Sequence, residues 1–179
     1  MSNNPPAKYH PWSIALHWLM LFLIAAVYLC IELRELYPRG SDMRNGLKDW
    51  HFMLGLSVWI LVILRLWIRA THKIPAIAPP PVKWQVVASR LMHISLYLLM
   101  LVMPILGWLT VSYEGHAVSF FGFELPLLVS ANESMAETIE EIHETIGVAG
   151  YWLIGIHALA ALYHHYFIKD NTLKRILPG

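Results

Sequence analysis

Residues 143–167 read HETIGVAGYWLIGIHALAALYHHYF, and the architecture of the whole chain follows from them. No Asp, Glu, Lys or Arg lies between Glu144 and Lys169, a run longer than the ~20 residues that cross the hydrocarbon core of a bilayer. The apolar residues are continuous rather than alternating, which specifies a helix and not a membrane β-strand. Yet four histidines, His143, His157, His164 and His165, sit in or at the end of this run. Ionisable groups are costly there, so each needs a reason.

Two further windows are free of charged residues, between Lys8 and Glu32 and between Arg90 and Glu114. A fourth apolar run is interrupted only by Arg65, close enough to an end to snorkel. The predicted spans are residues 12–33, 50–69, 91–112 and 143–167, giving an all-α integral membrane four-helix bundle as one domain over residues 1–179. Composition agrees: 57% of residues are apolar and 14% charged, against roughly 25% charged in a soluble domain. A net charge of +1 gives no basis for binding nucleic acid. The first apolar run is too long for a signal-peptide core and lacks a small-x-small cleavage pattern, so it reads as a retained helix. Pro75, Pro79, Pro80 and Pro81 make an extended connector between the second and third helices, and Pro104, with Gly107 nearby, is expected to kink the third.

Lys and Arg set the orientation. With the N-terminus inside, nine lie on the inner side and four, Arg34, Arg39, Arg44 and Lys48, on the outer. The loop 113–142 holds neither residue type. Both termini are therefore expected in the cytoplasm.

His143 and His157 are four turns apart on one helix face, so they mark two sites at different depths. Matching depth on other helices pairs His17 with His157 toward the inner side and His51 with His143 toward the outer. His93 falls at the inner end of its span with no unused partner. Two imidazoles facing across a bundle suit a haem iron with two axial histidines. Gly55 follows His51, and Gly147 follows His143, by one turn, leaving side-chain-free space where a flat porphyrin can lie; Ala161 takes that place after His157. Close helix packing is the other use of such small residues. The lone Cys30 excludes a disulfide within the chain, a CxxC pair and a Cys-ligated cluster, and no CxxCH exists for covalent haem attachment. His143-Glu144 begins like the zinc motif HExxH, but the second His is absent.

Several segments resemble the bacterial cytochrome b561 family and, within it, the superoxide oxidase branch. They are His17-Trp18, Pro38-Arg39 with Ser41-Asp42, His51, Trp67-Ile68-Arg69, His143-Glu144-Thr145 through Gly150-Tyr151, His157-Ala158, and His164-His165-Tyr166-Phe167 with Lys169-Asp170-Asn171-Thr172-Leu173. The resemblance covers nearly the whole chain. It implies a four-helix bundle of the bacterial inner membrane with two b haems, ligated at His17, His51, His143 and His157, and a quinone near His164. The implied activity is electron transfer from superoxide on the periplasmic side to ubiquinone. A near-neutral imidazole at His164 suits hydrogen bonding or proton transfer to a quinone. Arg39, Arg44 and Lys48, just before His51, are candidates for steering the superoxide anion, although formal charge in their loop sums to zero. Arg65 and Arg69 either pair with inner haem propionates or snorkel. Membrane lipid, ubiquinone and superoxide are the expected partners, with no obligatory protein partner. Two rival classes stand beside this: a cytochrome b anchor subunit passing electrons between a partner dehydrogenase and the quinone pool, and a histidine-lined transporter without haem.

Overall fold

The computed structural model describes residues 8–178; the first seven residues and Gly179 of the predicted domain lie outside the described residues. Four long helices account for most of the chain: α1 (Pro11–Arg34), α2 (Asp42–Thr71), α3 (Lys83–Tyr113) and α4 (Glu133–Tyr163). All four are long and apolar enough to cross a membrane. α1 packs along α2 and α3 along α4, with α2 meeting α3 between them.

The first helix matches its predicted span closely. The other three begin well upstream, at Asp42, Lys83 and Glu133 rather than at Trp50, Leu91 and His143. Their first turns are polar and lie beyond the apolar run, and local chemistry starts them. Ser41 Oγ accepts from the Arg44 amide at 3.3 Å, Gln85 Oε1 from the Val82 amide at 3.1 Å, and Asn132 Oδ1 from the Met135 amide at 3.2 Å. Each satisfies a backbone group that a helix end leaves open. α3 runs unbroken as a helix through Pro104.

The buried centre is narrow. Met20, Val58 and Val62 interlock across α1 and α2, with Tyr97 and Met100 of α3 packed against them. Large apolar side chains instead cover the outside, among them Phe22, Trp67, Trp152 and Leu159, each more than three-fifths exposed. This inversion is what a lipid-solvated bundle requires, since helix contacts there rest on close packing rather than on hiding apolar surface.

Two features depart from an all-helical chain. Between α3 and α4, β1 (Val118–Phe120) and β2 (Phe123–Leu125) form an antiparallel hairpin in which Val118 faces Leu125 and Phe120 faces Phe123. Its two turn residues, Phe121 and Gly122, have φ of 48° and 89°, the left-handed pair a two-residue hairpin demands. Val118 packs with Leu56 and Val111, fixing the hairpin onto α2 and α3. At the other end of the bundle, α4 continues as a π-helical turn, His164–Ile168.

The residues after that turn tie the same end together. The Tyr9 amide donates to the Arg175 carbonyl at 3.1 Å, and Trp18 Nε1 donates to the Ile176 carbonyl at 2.9 Å. The bundle thus has a hairpin end and a terminal end.

Candidate haem sites

At the hairpin end, His51 of α2 and His143 of α4 face each other with ring centroids 6.2 Å apart and planes at 69°. At the terminal end, His17 of α1 and His157 of α4 stand 6.4 Å apart at 72°. These spacings carry chemical information. A metal-bound imidazole nitrogen sits about 2.0 Å from the ion, and its ring centroid lies roughly 1.1 Å further, so two imidazoles on opposite sides of one metal place their centroids about 6.2 Å apart. Both predicted pairs are brought together at that separation.

The hairpin-end pair opens on a cavity of about 440 Å³, within the range of small-molecule and cofactor sites. His51, His143, Gly55, Gly107 and Gly147 line it. His51 Nδ1 lies 3.0 Å from the Val27 carbonyl. Donating there fixes the tautomer and leaves the Nε2 lone pair free, the usual arrangement of a ligating histidine. A side chain at Gly55 would meet nothing within 4 Å, so this glycine opens on free space. A Cβ at Gly107 would sit 3.3 Å from His143 Cε1. Gly107 therefore makes room for an imidazole rather than merely easing a proline kink. A Cβ at Gly150 would run into Tyr28 Oη, and Tyr28 donates to the Gly147 carbonyl at 2.8 Å, so α1 and α4 touch through these glycines.

The terminal-end pair has a third imidazole. His93 of α3 lies 5.5 Å from His157, centroid to centroid. Reading the helix from Leu91 leaves this residue at a helix end; with α3 starting at Lys83 it lies a full two turns and more inside. Its Nδ1 is 2.6 Å from the Ser89 carbonyl of its own helix. Arg65 points inward rather than snorkelling: Nη2 donates to His17 Nδ1 at 3.2 Å, while Nη1 is buried with no hydrogen-bond partner. Such a donor is costly unless an acceptor meets it. Arg69 instead lies over the Tyr97 ring, 5.9 Å from its centroid.

His164 Nδ1 donates to Asp170 Oδ2 at 2.6 Å. Burial pushes the Asp170 carboxyl up, but hydrogen bonds from His164 and Thr172 outweigh it and hold it below the usual carboxylate range. Arg44 is committed to structure: it donates to the carbonyls of Arg34 and Tyr37 and to Glu35 Oε1, closing the end of α1. That hydrogen bond, with the charges of Arg44 and Arg34, holds the Glu35 carboxyl below its ordinary value. Lys48 lines the cavity, pairs with Glu114 at 3.7 Å and lies over the Phe52 ring. Arg39 is exposed and has no ion pair among the described residues.

A family model described as prokaryotic cytochrome b561 matches residues 8–179. The chain is 42% identical over 171 residues to cytochrome b561 homolog 1 of Escherichia coli strain K12, covering 96% of this chain and 97% of that relative. It is 36% identical over 171 residues to the probable superoxide oxidase CybB of Yersinia pestis, covering 96% of each. To cytochrome b562 of Cereibacter sphaeroides it is 27% identical over 184 residues, covering 99% of this chain and 98% of that relative.

Proposed function

The chain belongs to the prokaryotic cytochrome b561 family, membrane electron-transfer proteins that bind b-type haem, and from that premise we propose that it is a dihaem cytochrome passing electrons from superoxide to ubiquinone. The observation that carries the reading is the pair of imidazole separations, 6.2 and 6.4 Å, at two depths of one bundle. His51 with His143 would hold one haem and His17 with His157 the other. Held by these histidines, b-type haem would supply one-electron transfer.

The chain's own residues do the rest. His51 is oriented by the Val27 carbonyl, and Gly55, Gly107 and Gly147 keep side chains out of the space beside the rings. Arg65 offers its unpartnered Nη1 to a haem propionate beside the terminal-end pair. Lys48 stands at the hairpin-end cavity, where a small anion would approach. His164 contacts quinone at the terminal end, which we assign to the cytoplasmic side of the bacterial inner membrane by the excess of Lys and Arg there. Superoxide gives one electron and ubiquinone takes two, so two redox sites in one chain match a single-electron donor to a two-electron acceptor. Kinship to a relative described as a probable superoxide oxidase supports the choice of donor.

The test uses the purified full chain. Acid acetone should release two haem b per chain, superoxide should reduce them in rapid mixing, and ubiquinone should reoxidise them without another protein. A colourless protein would return the histidines to a transport role. Haem that is reduced only in the presence of a dehydrogenase partner would make the chain an anchor subunit.

A further inference from the structure

The terminal end of α4 does not simply stop. The helix widens into the π-turn His164–Ile168, Lys169 enters the left-handed region at φ 59°, and the chain turns back so that Asp170 lies against His164. The Asp170 amide donates to the His164 carbonyl at 3.3 Å. Its Oδ2 accepts from His164 Nδ1 at 2.6 Å, and its Oδ1 accepts from the Thr172 amide at 2.8 Å. The aspartate side chain is 1% exposed. A carboxylate so deep is costly unless its oxygens are satisfied, and here both are.

The backbone around this carboxylate is anchored too. Asn171 Oδ1 accepts from the Ala78 amide at 2.9 Å, its Nδ2 donates to the Ala76 carbonyl at 3.3 Å, and its amide donates to the Ala78 carbonyl at 3.2 Å. Arg175 Nη1 donates to the Pro75 carbonyl. The segment after α4 is thereby stitched to the connector between α2 and α3, and Asp170 cannot drift from His164. The imidazole is 18% exposed, and its Nε2 makes no hydrogen bond among the described residues. One nitrogen is committed and the other is open.

We propose that Asp170 is a positioning residue for quinone reduction, holding His164 with Nδ1–H on the carboxylate so that Nε2 is the nitrogen that hands a proton to the quinone carbonyl oxygen. This rests on the reading of His164 as the quinone contact. The quinone gains two electrons, delivered singly from the reduced b-type haem of this family, and two protons. At each transfer the Nε2–H bond of the imidazolium breaks and an O–H bond forms on a carbonyl oxygen. The neutral imidazole keeps its Nδ1–H on Asp170 and is reprotonated at Nε2 from water on that side. The fixed negative charge excludes the tautomer with its proton on Nε2 alone and stabilises the cation that forms at each reprotonation. Asp170 itself does not take the proton.

The experiment follows reoxidation of the prereduced, haem-loaded full chain by a short-tailed ubiquinone in stopped flow, with haem content recorded for each variant. Asp170→Asn should slow maximal reoxidation at least about tenfold while the half-saturating quinone concentration changes by less than about threefold. Asp170→Glu, which keeps the charge, should recover part of the rate. His164→Gln should slow reoxidation as much or more, and Asp170→Asn added to it should cost little extra, because the aspartate acts through the imidazole. In the unsubstituted protein the reoxidation should slow in D2O, and His164→Gln should abolish that dependence, a check that needs no aspartate variant to fold. Equal losses from Asp170→Asn in both backgrounds would overturn the proposal while leaving the quinone site at His164. An unchanged rate in His164→Gln would overturn the quinone reading and the proposal with it.

Discussion

Arg65 on α2 donates through Nη2 to Nδ1 of His17 on α1, at 3.2 Å, and keeps a second buried nitrogen unpartnered. A guanidinium has no acceptor, so this bond makes Nδ1 the acceptor and leaves the proton on Nε2. Ligation of iron by Nε2 needs the opposite tautomer. The two arrangements exclude each other: ligation of a haem iron by His17 Nε2 would require Arg65 to give up this bond, and a propionate carboxylate would suit it as the new partner.

A positive charge held near one haem favours its reduced form. Arg65→Met should therefore lower the midpoint potential of the haem proposed between His17 and His157 by about 70 mV, the Coulomb energy of one charge at about 10 Å in a medium of effective dielectric near 20. The other haem should shift much less. Potentiometric titration of the purified variant, following the two components of the absorption band, reads both values.

The histidine pairs predict a pattern of haem loss. His51→Ala or His143→Ala should remove mainly the haem at the hairpin end, and His17→Ala or His157→Ala mainly the other. His93→Ala should keep two haems per chain, because its ring stands 5.5 Å from His157, short of the axial spacing that His17 meets at 6.4 Å. The haem-to-protein ratio decides. Loss of a haem in His93→Ala with retention in His17→Ala would transfer the axial role to α3.

Gly107→Ala should loosen the hairpin-end haem, since the added methyl would press on His143 Cε1 from 3.3 Å. Gly46→Ala is the control: nothing lies within 4 Å of its Cβ, and alanine favours the helix by about 1 kcal/mol. Transfer of haem to apomyoglobin, timed for each variant, should be several-fold faster in Gly107→Ala alone.

The basic residues before His51 should separate into two behaviours. Lys48→Gln and Arg39→Gln should slow superoxide-driven haem reduction several-fold at low ionic strength and little at high, the sign of steering by a local field. Arg44→Gln removes three hydrogen bonds that close α1, and should cost about 1–3 kcal/mol of stability with a smaller salt-dependent part. Rapid mixing at two salt concentrations, with a thermal melt of each variant, distinguishes them. Rates that ignore every substitution and the salt would remove steering from the account.

Much of this was legible in the residues. Charge-free windows exposed the four helices, and the fourteen-residue interval from His143 to His157 exposed two depths, because both follow from the 1.5 Å rise of a helix and the thickness of a bilayer. The polar starts of α2, α3 and α4 were not, since hydropathy registers only the part of a helix that meets lipid. His93, read as lying at the inner end of its span without a partner, stands at that end but beside His157, because α3 extends further there than its apolar run. The hairpin had a signal, Gly122 set between Phe121 and Phe123, but three-residue strands are too short for periodicity to register. The π-turn and the reversal at Lys169 had none, because they depend on where Asp170 is pinned by contacts distant in the chain.

Those distant contacts also impose an order of assembly. The Trp18 indole waits for the Ile176 carbonyl, and the Tyr9 amide for that of Arg175, partners that are made only after α4. The hairpin, by contrast, closes on neighbours already made. In a growing chain the half of the bundle near the hairpin is complete as soon as α4 inserts, whereas the opposite half matures only once residues 175 and 176 have followed it. Nascent chains arrested before residue 170 should therefore capture at most one haem.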